Sequence, residues 1–464
     1  MSQYKDQRGI AHTAANQDAV DHFDATMTEY VHFGTETGVK LKQTFAADPD
    51  FAMAHVLRGC FMQLFCIPAL TEKARQSLAK ARDAGERSGI DDRERRHIEA
   101  LGAWLDGDMR GAVEHWEAIL LEHPLDMLAV KLSQFVNFYL GDSRKLRDSV
   151  ARILYAWDEQ VPGYANVLGM YAFGLEESGD YAAAERNGKL AVEKDAADPW
   201  AVHAVAHVME MQDRRRDGIA WLRGLQSHWT TANNFRFHLW WHLALFHLDL
   251  EEYDEVLRLY DSEFRSEPTE EYLDICNATS MLWRLEERGI DVGDRWKELA
   301  DVSATRIDGH GLVFPDMHFI MALEAVGDTE SGDDMLQSLR ATSAQTGVTQ
   351  AAVIKEVGLA LAEAIAAWYK GDYKGVLELL LPVRYALHDI GGSHAQRDLF
   401  HQILIAAALR APLPTLARAL LSERTRLKPD NAWTWQRYAQ ALDAVGDHSA
   451  AREAAERARS LLAA

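Results

Sequence analysis

The segment from Ala201 to Gln212 places three chemically versatile residues on an otherwise apolar stretch. His203, His207 and Glu210 stand at positions i, i+4 and i+7, and these spacings share one face of an α-helix. Such a face belongs in a core, where unpartnered imidazoles and carboxylates cost several kcal/mol. The pattern therefore indicates either a ligand pocket or buried histidines that are hydrogen-bonded to their neighbours.

Two histidines at i and i+4 can also bind a metal ion from one helix face. The zincin motif His-Glu-x-x-His is not present, because Ala204 occupies the position of its general base. His238 and His242 repeat the i, i+4 spacing beside Trp240 and Trp241. This second pair favours an aromatic-walled pocket or an amphipathic helix with histidines at its rim. The spacing leaves metal binding open and identifies no cofactor.

Two further polar groups stand at predicted helical positions. Asp274 interrupts an apolar stripe in a helix, where aspartate is disfavoured, so it is expected to meet a ligand or a polar group of a neighbouring repeat. Asp316 and His318 lie at a predicted helix start. Asp316 suits the role of a helix cap, and His318 suits that of an acid or base.

A fifth group follows two glycines and Ser393, which is predicted to cap a helix. Gln396, Arg397 and Asp398 crowd the first turn of that helix. Asp398 complements the positive end of the helix dipole there, whereas Arg397 opposes it. Arg397 is therefore expected to pair with a carboxylate from the protein or from a ligand.

Helical periodicity dominates the chain that must position these groups, and alternating β-type runs are scarce. A Gly-Asp turn recurs along the chain, and in it the glycine ends one helix and the aspartate caps the next. The copies are Gly107-Asp108, Gly141-Asp142, Gly179-Asp180, Gly327-Asp328, Gly371-Asp372 and Gly446-Asp447. Their spacing predicts degenerate tetratricopeptide repeats, which are helical hairpins of roughly 34 residues that stack into a superhelix.

Prolines that begin helices give the repeat a second, longer period. Pro49, Pro124 and Pro199 are each 75 residues apart (124 − 49 and 199 − 124). His203 and His207 follow Pro199 by four and eight residues. The equivalent residues of the two earlier copies are apolar: Met53, Leu57, Leu128 and Leu132. The histidine pair therefore departs from the repeat, which favours a pocket wall.

Composition limits the function further. The net charge of −22 argues against nucleic-acid partners and against anionic membrane surfaces. The three cysteines without CxxC spacing are typical of a reduced, cytoplasmic protein. The polar N-terminus predicts no signal peptide, and no apolar stretch is long enough to predict a transmembrane helix.

The chain resembles the tetratricopeptide repeat protein 38 family. The matching stretches are Phe23-Asp24-Ala25-Thr26 with Tyr30, Pro124–Ala129, Ala201–Met211, Trp241–Leu245, Asp316–Phe319, Leu379–Arg384 and Gly391–Phe400. His394 stands where the family motif has asparagine, so we expect no essential role for it. The resemblance implies degenerate tetratricopeptide-like repeats and a cytoplasmic protein, and it implies no particular reaction.

These patterns predict one continuous helical-repeat domain over residues 17–464, with a flexible tail at 1–16 and a less regular stretch at about 285–350. The leading hypothesis is a binding protein whose polar, histidine-rich concave pocket holds a small polar molecule or a peptide. An enzyme using the same residues and a protein–protein scaffold, including a homodimer, are the alternatives. The predicted ligand-binding residues are His203, His207, Glu210, His242, Asp274, Asp316, His318, Gln396, Arg397 and Asp398.

Overall fold

The computed structural model describes residues 2–463 and confirms the predicted all-α superhelix of tetratricopeptide-like hairpins. Consecutive helices pair into hairpins, and successive hairpins stack on one another. The helices are α1 (Gln17–Val31), α2 (Thr37–Ala47), α3 (Ala52–Leu64), α4 (Pro68–Ser88), α5 (Asp92–Leu105), α6 (Met109–Glu122), α7 (Met127–Tyr139), α8 (Ser143–Ile153), α9 (Tyr164–Glu177), α10 (Tyr181–Lys194), α11 (Pro199–Met211), α12 (Arg215–Gly224), α13 (Gln226–Trp229), α14 (Phe235–Asp249), α15 (Tyr253–Leu259), α16 (Tyr272–Glu287), α17 (Arg295–Ser303), α18 (Val313–Ala325), α19 (Thr329–Ser343), α20 (Thr349–Val353), α21 (Leu359–Tyr369), α22 (Tyr373–Val383), α23 (His394–Arg410), α24 (Pro414–Leu427), α25 (Ala432–Ala444) and α26 (His448–Ala463). Short 3-10 or π segments extend some of them, at Leu154–Ala156, Tyr260–Phe264, Ala304–Arg306, Ile354–Gly358 and Leu387–Ile390.

The Gly-Asp turns form as the sequence predicts. The six glycines have φ values between 64° and 87°, a left-handed conformation that glycine adopts without steric cost. Each following aspartate accepts a hydrogen bond from the backbone N–H three residues later and so caps the next helix. This turn directs the chain back along the helix just completed and produces the hairpin.

The first helix of each central hairpin is buried on nearly all sides. In α11 and α14 almost every residue is buried, whereas α12 and α15 bury only a few residues each. A helix that is apolar all round belongs in an interior. The first helices therefore lie inside the superhelix, and the second helices cover them with one apolar face.

The superhelix is wound so tightly that distant segments meet across its interior. Gly107 O accepts a hydrogen bond from Thr349 N at 2.9 Å, and Arg397 contacts Glu177 at 3.3 Å. Asn431 Nδ2 donates to Asp213 Oδ1 at 3.0 Å. Much of the inner face is consequently packed against other helices, so polar residues on it are buried between repeats.

The N-terminal segment that we predicted to be a flexible tail forms a β-hairpin instead. Strands β1 (Ser2–Lys5) and β2 (Ala11–Ala14) pair in antiparallel fashion, with Ser2 opposite Ala14. Thr13 is buried, and its N–H donates to Glu94 Oε1 at 2.8 Å. The anchoring partner lies on α5, so a prediction from local sequence misses it.

The stretch at about 285–350 contains the regular helices α17, α18 and α19. The loop at 307–312 precedes α18, and the loop at 344–348 lies between α19 and α20. Within the described residues, none of the helices combines the length and the apolar character needed to cross a membrane.

Candidate functional site

Four histidines meet at the contact between α11 and α14. We call this group, His203, His207, His238 and His242, the histidine cluster. Each is at most 3% exposed, and one ring nitrogen from each lies within 4.8 Å of the other three. His203 Nε2 is 2.8 Å from His207 Nε2 and 3.1 Å from His238 Nε2. The i, i+4 spacing on two neighbouring helices thus brings both pairs to one point.

Residues behind the cluster orient two of its rings. Asn277 Oδ1, on α16, lies 3.0 Å from His238 Nδ1, and because this oxygen only accepts, the proton belongs on Nδ1. Glu176 Oε2, on α9, approaches His207 Nδ1 to 3.5 Å. In His238 the bond to Asn277 therefore leaves the Nε2 lone pair directed at the centre of the cluster.

Aromatic side chains also pack against the cluster. Phe173 stacks on His203 with ring centroids 5.4 Å apart, and Trp241 stacks on His238 at 5.2 Å. Burial lowers the pKa of His203 well below its usual range, and it lowers the pKa of His238 to about 4 although Asn277 opposes that shift. The imidazoles are therefore neutral at physiological pH.

A cavity of about 620 Å³ adjoins the cluster, and His203 and His238 form part of its wall. Aromatic side chains from several repeats dominate the rest of the wall, among them Tyr30, Phe33, Phe61, Phe135, Trp200 and Phe235. The cavity opens to solvent at a rim that includes Gly38 and Phe65, and Phe65 is 47% exposed. Its size and lining are typical of small-molecule sites.

A few polar groups interrupt this aromatic wall. Tyr272 Oη donates to Tyr139 Oη at 3.1 Å, and Gln396 and Asn234 also reach the cavity. Glu271 lines it as well, and burial together with the neighbouring Asp274 raises the pKa of Glu271 to about 8. The carboxyl is thus largely protonated at neutral pH, and the wall carries little net charge.

Asp274 lies behind this wall. Its Oδ2 accepts hydrogen bonds from Asn234 Nδ2 at 2.9 Å and from Thr269 Oγ1 at 2.5 Å. Burial raises the pKa of Asp274 to about 6, although both hydrogen bonds oppose this shift. Asp274 therefore positions Asn234 and Thr269, which line the cavity.

Asp316 and His318 lie away from the histidine cluster. Asp316 sits in the first turn of α18, whose N-cap is Leu312, and its Oδ2 contacts His310 Nδ1 at 3.1 Å. The expected capping role is thus replaced by a contact with a histidine. His318 Nδ1 donates to Phe314 O at 2.8 Å, and burial lowers the pKa of His318 to about 4.

Glu210 and Asp398 belong to a separate group of buried charges between α11, α16 and the C-terminal helices. We call Glu210, Arg284, Asp398, Arg424 and Lys428 the charged cluster. All of them except Arg424 border a space of only about 10 Å³, and Arg424 pairs with Asp398. Burial alone would raise the pKa of Asp398, but Arg424 and Lys428 hold it well below its usual range. Burial raises the pKa of Glu210 to about 8 although Lys428 opposes it.

Arg397 pairs with protein groups, as the sequence suggested. Its guanidinium donates to Gly392 O and to Glu177 Oε2, the latter at 3.3 Å. Ser393 and Gln396 form a capping box: Ser393 Oγ accepts from Gln396 N, and Gln396 Oε1 accepts from Ser393 N at 2.9 Å. These bonds fix the turn that closes one side of the cavity.

Removing this cap gives a first testable prediction. Ser393→Ala is expected to lower the free energy of unfolding by about 1 kcal/mol, because the Gln396 N–H loses its acceptor. Chemical denaturation measures the loss. Ser449→Ala, at an exposed position in α26, is the control and is expected to change the stability by less than about 0.5 kcal/mol. Equal losses in the two variants would show that the capping box contributes nothing.

The predicted site residues thus divide among several places. His203, His207 and His242 meet in the histidine cluster, Gln396 lines the adjoining cavity, and Asp274 lies just behind the wall. Glu210 and Asp398 belong to the charged cluster, Arg397 lies beside Glu177, and Asp316 lies beside His310. His318 donates to Phe314 O and joins none of these groups. Sequence reasoning missed Glu176, whose only signal is a pair of glutamates at the end of the apolar helix α9.

Comparison with known proteins gives a broad likeness. No protein-family model matches the chain. A structure of the human IFIT1 dimer with PPP-AAAA shares 11% identity, covers 89% of this chain and 91% of that chain, and gives a TM-score of 0.42. A structure of the human IFIT1 dimer with m7Gppp-AAAA shares 11% identity, covers 89% of this chain and 90% of that chain, and gives a TM-score of 0.40. The P58(IPK) TPR domain shares 14% identity over 80% of this chain and 98% of that domain, with a TM-score of 0.22.

One prediction needs correction in this light. The net charge led us to exclude nucleic-acid partners, and that exclusion is wrong, since the human IFIT1 structures hold m7Gppp-AAAA or PPP-AAAA. The physical reason is that a net charge sums the whole surface, whereas a ligand meets the local field of its own site.

Proposed function

We propose that the protein binds a small, flat and largely apolar molecule in the aromatic cavity, with the histidine cluster at one wall. The observation that carries this proposal is the cavity itself, about 620 Å³ in volume and walled by aromatic side chains from successive repeats. Sites for small molecules typically have 300–1,000 Å³ and a mainly apolar lining with a few polar groups. Protein interiors are normally close-packed, so the packing of the repeats alone does not account for a space of this size.

The lining also revises the expected ligand chemistry. The predicted pocket was polar and histidine-rich, whereas the wall here consists mainly of rings such as Phe33, Trp200 and Phe235. Phe33 stacks on Trp200 with an interplanar angle of 12° and on Phe235 with one of 23°. Flat faces of this kind favour a planar ligand. The tyrosine hydroxyls and the Gln396 amide supply hydrogen bonds for its polar substituents.

We also propose, from the sequence motifs, that the chain belongs to the tetratricopeptide repeat protein 38 family and acts in the cytoplasm. Residues 17–464 would then form one continuous domain. This assignment rests on the motifs around His203 and Gly391. The first motif includes two residues of the histidine cluster, and the second forms the turn that closes one side of the cavity.

Blocking the rim tests cavity binding. Gly38→Trp adds a bulky ring at the rim, where a Cβ meets no atom within 4 Å. We expect the wild-type protein to bind one equivalent of the neutral fluorescent probe N-phenyl-1-naphthylamine, and the variant to bind it about tenfold more weakly or worse, because the ring fills the entrance. Fluorescence titration measures both affinities.

Gly224→Trp is the matched control. Gly224 ends α12, and a Cβ there also meets no atom within 4 Å. The control introduces the same ring outside the cavity lining and is expected to bind the probe as the wild type does. A wild type that binds no probe, or two variants that bind it equally well, would contradict cavity binding.

A further inference from the structure

The histidine cluster presents several lone pairs to one point. Asn277 fixes the His238 proton on Nδ1, so His238 Nε2 carries a lone pair and can only accept. His203 Nε2 lies 3.1 Å from that atom and 2.8 Å from His207 Nε2. One proton on His203 Nε2 serves only one of these two neighbours well. Hydrogen bonding alone therefore leaves the centre of the cluster with more acceptors than donors.

His242 shows the same shortage of partners. Among residues 2–463, neither of its ring nitrogens has a hydrogen-bond partner, although both are buried. A neutral imidazole carries one N–H and one lone pair, so both go unused here. Buried polar groups in native proteins are nearly always paired, which indicates that the cluster is built for a species that accepts lone pairs.

We propose that His203, His207, His238 and His242 together bind one divalent transition-metal ion of the zinc type. Imidazole is a preferred ligand of such ions. Bonds of about 2.0–2.1 Å in a tetrahedral arrangement place the ligand nitrogens about 3.3 Å apart. The observed separations of 2.8 Å and 3.1 Å, and the limit of 4.8 Å over all four nitrogens, bracket that distance.

The groups behind the ligands fit this assignment. Metal-binding histidines usually donate their outer N–H to a carboxylate or an amide oxygen, and Glu176 and Asn277 occupy these places at His207 and His238. Glu176 and Glu177 are both buried beside His207, and one carboxyl oxygen of each lies within 4.8 Å of a nitrogen of that ring. His203 and His238 also line the cavity, so a bound ion would lie directly behind its wall.

The metal site goes beyond the proposed small-molecule binding, since it needs no ligand in the cavity. The two histidine pairs lie on α11 and α14, so a bound ion would link two successive hairpins from the inside. It would also hold the wall of the cavity in a fixed position. We therefore expect the ion to raise the thermal stability of the whole chain by mass action.

Metal titration of the full chain tests the site. After treatment with a chelator, the wild-type protein is expected to bind one Zn²⁺ or one Co²⁺ per chain, to gain thermal stability, and to give the visible absorption of four-coordinate Co²⁺. His207→Gln is expected to weaken Zn²⁺ binding by about 100-fold or more and to remove this absorption, because one ligand is lost. Direct metal analysis and absorption spectroscopy measure these effects.

His318→Gln is the matched control, because His318 is equally buried but lies outside the cluster. This variant is expected to bind metal as the wild type does. A wild type that takes up no stoichiometric Zn²⁺ or Co²⁺ overturns the proposal, whether or not the variants fold. Equal losses of affinity in His207→Gln and His318→Gln, with both variants folded, overturn it as well.

The experiments test cavity binding and metal binding independently of each other. His207 lies behind the part of the cavity wall formed by His203, so His207→Gln is expected to lose the metal and keep the naphthylamine probe. Gly38→Trp is expected to lose the probe and keep the metal. A protein that binds the probe but no metal retains the proposed function without the metal site.

Discussion

The substitution Asp398→Asn is expected to lower the free energy of unfolding by about 3–5 kcal/mol at neutral pH. Asp398 Oδ1 and Oδ2 accept hydrogen bonds from Arg424 Nη1 and Nη2 at 2.6 Å and 2.9 Å, and the two side chains are only 14% and 9% exposed. The change removes the anion and leaves the guanidinium of Arg424 and the ammonium of Lys428 buried with less compensation. Denaturant unfolding at pH 7 measures the loss.

The pH dependence of this loss has a definite sign. The pKa of Asp398 is held well below its usual range in the folded protein by Arg424 and Lys428, against the opposing effect of burial. Its contribution is therefore complete above the unfolded value of about 3.9 and disappears as the pH falls toward the folded value. The stabilities of the wild type and of Asp398→Asn are expected to converge as the pH falls below about 4.

Asp430→Asn provides the comparison. Asp430 pairs with Arg457 at 2.7 Å, but both side chains are about half exposed, and exposed pairs contribute about 1 kcal/mol or less. A loss in Asp398→Asn as small as that in Asp430→Asn would contradict the structural role of Asp398. Probe binding in Asp398→Asn at neutral pH is expected to equal that of the wild type, because Asp398 lies outside the cavity lining.

The fold was accessible from the sequence because its determinants are local. A glycine followed by aspartate ends one helix and caps the next within a few residues, and the six predicted turns all adopt this geometry. A further turn at Glu251, with φ of 61°, follows the same path without glycine. The β-hairpin at residues 2–14 was not accessible, because Glu94 and Arg93 on α5 anchor it.

The histidine cluster could be predicted in part. A polar residue on an apolar helical face is visible in one sequence, and this signal identified both pairs of histidines. Their meeting depends on how α11 packs against α14, and the helix period alone does not fix that. The pairing of Arg397 with Glu177 spans 220 positions, so only the closed superhelix reveals it.

The cavity could not be predicted for a different reason. Phe33, Phe61 and Phe235 each look like ordinary core residues in the sequence, because aromatic side chains usually fill interiors. They line a space only because segments that are far apart in the sequence leave a gap between them there. Packing complementarity of this kind is a property of the whole structure.

Lys131 is buried against three of the aromatic rings that line the cavity. It is 2% exposed, and its Nζ lies 4.3 Å from the ring centroid of Phe33, 4.8 Å from that of Phe135 and 5.1 Å from that of Trp200. These three rings also line the cavity. Burial lowers the pKa of Lys131 to about 7, although the charge of Asp198 opposes that shift.

Lys131→Met is therefore expected to stabilise the protein at pH 7 and to flatten its stability profile in alkali. Between pH 7 and pH 10 the unfolded lysine keeps a proton that the folded one has lost, so the contribution of Lys131 to wild-type stability is expected to rise with pH, by about 3 kcal/mol. Lys131→Met lacks this rise, and the exposed Lys374→Met on α22 is expected to retain it. Denaturant unfolding at several pH values measures all three proteins. Parallel profiles for Lys131→Met and the wild type would mean that Lys131 stays protonated within its aromatic enclosure, with the cavity wall then carrying a permanent positive charge behind it.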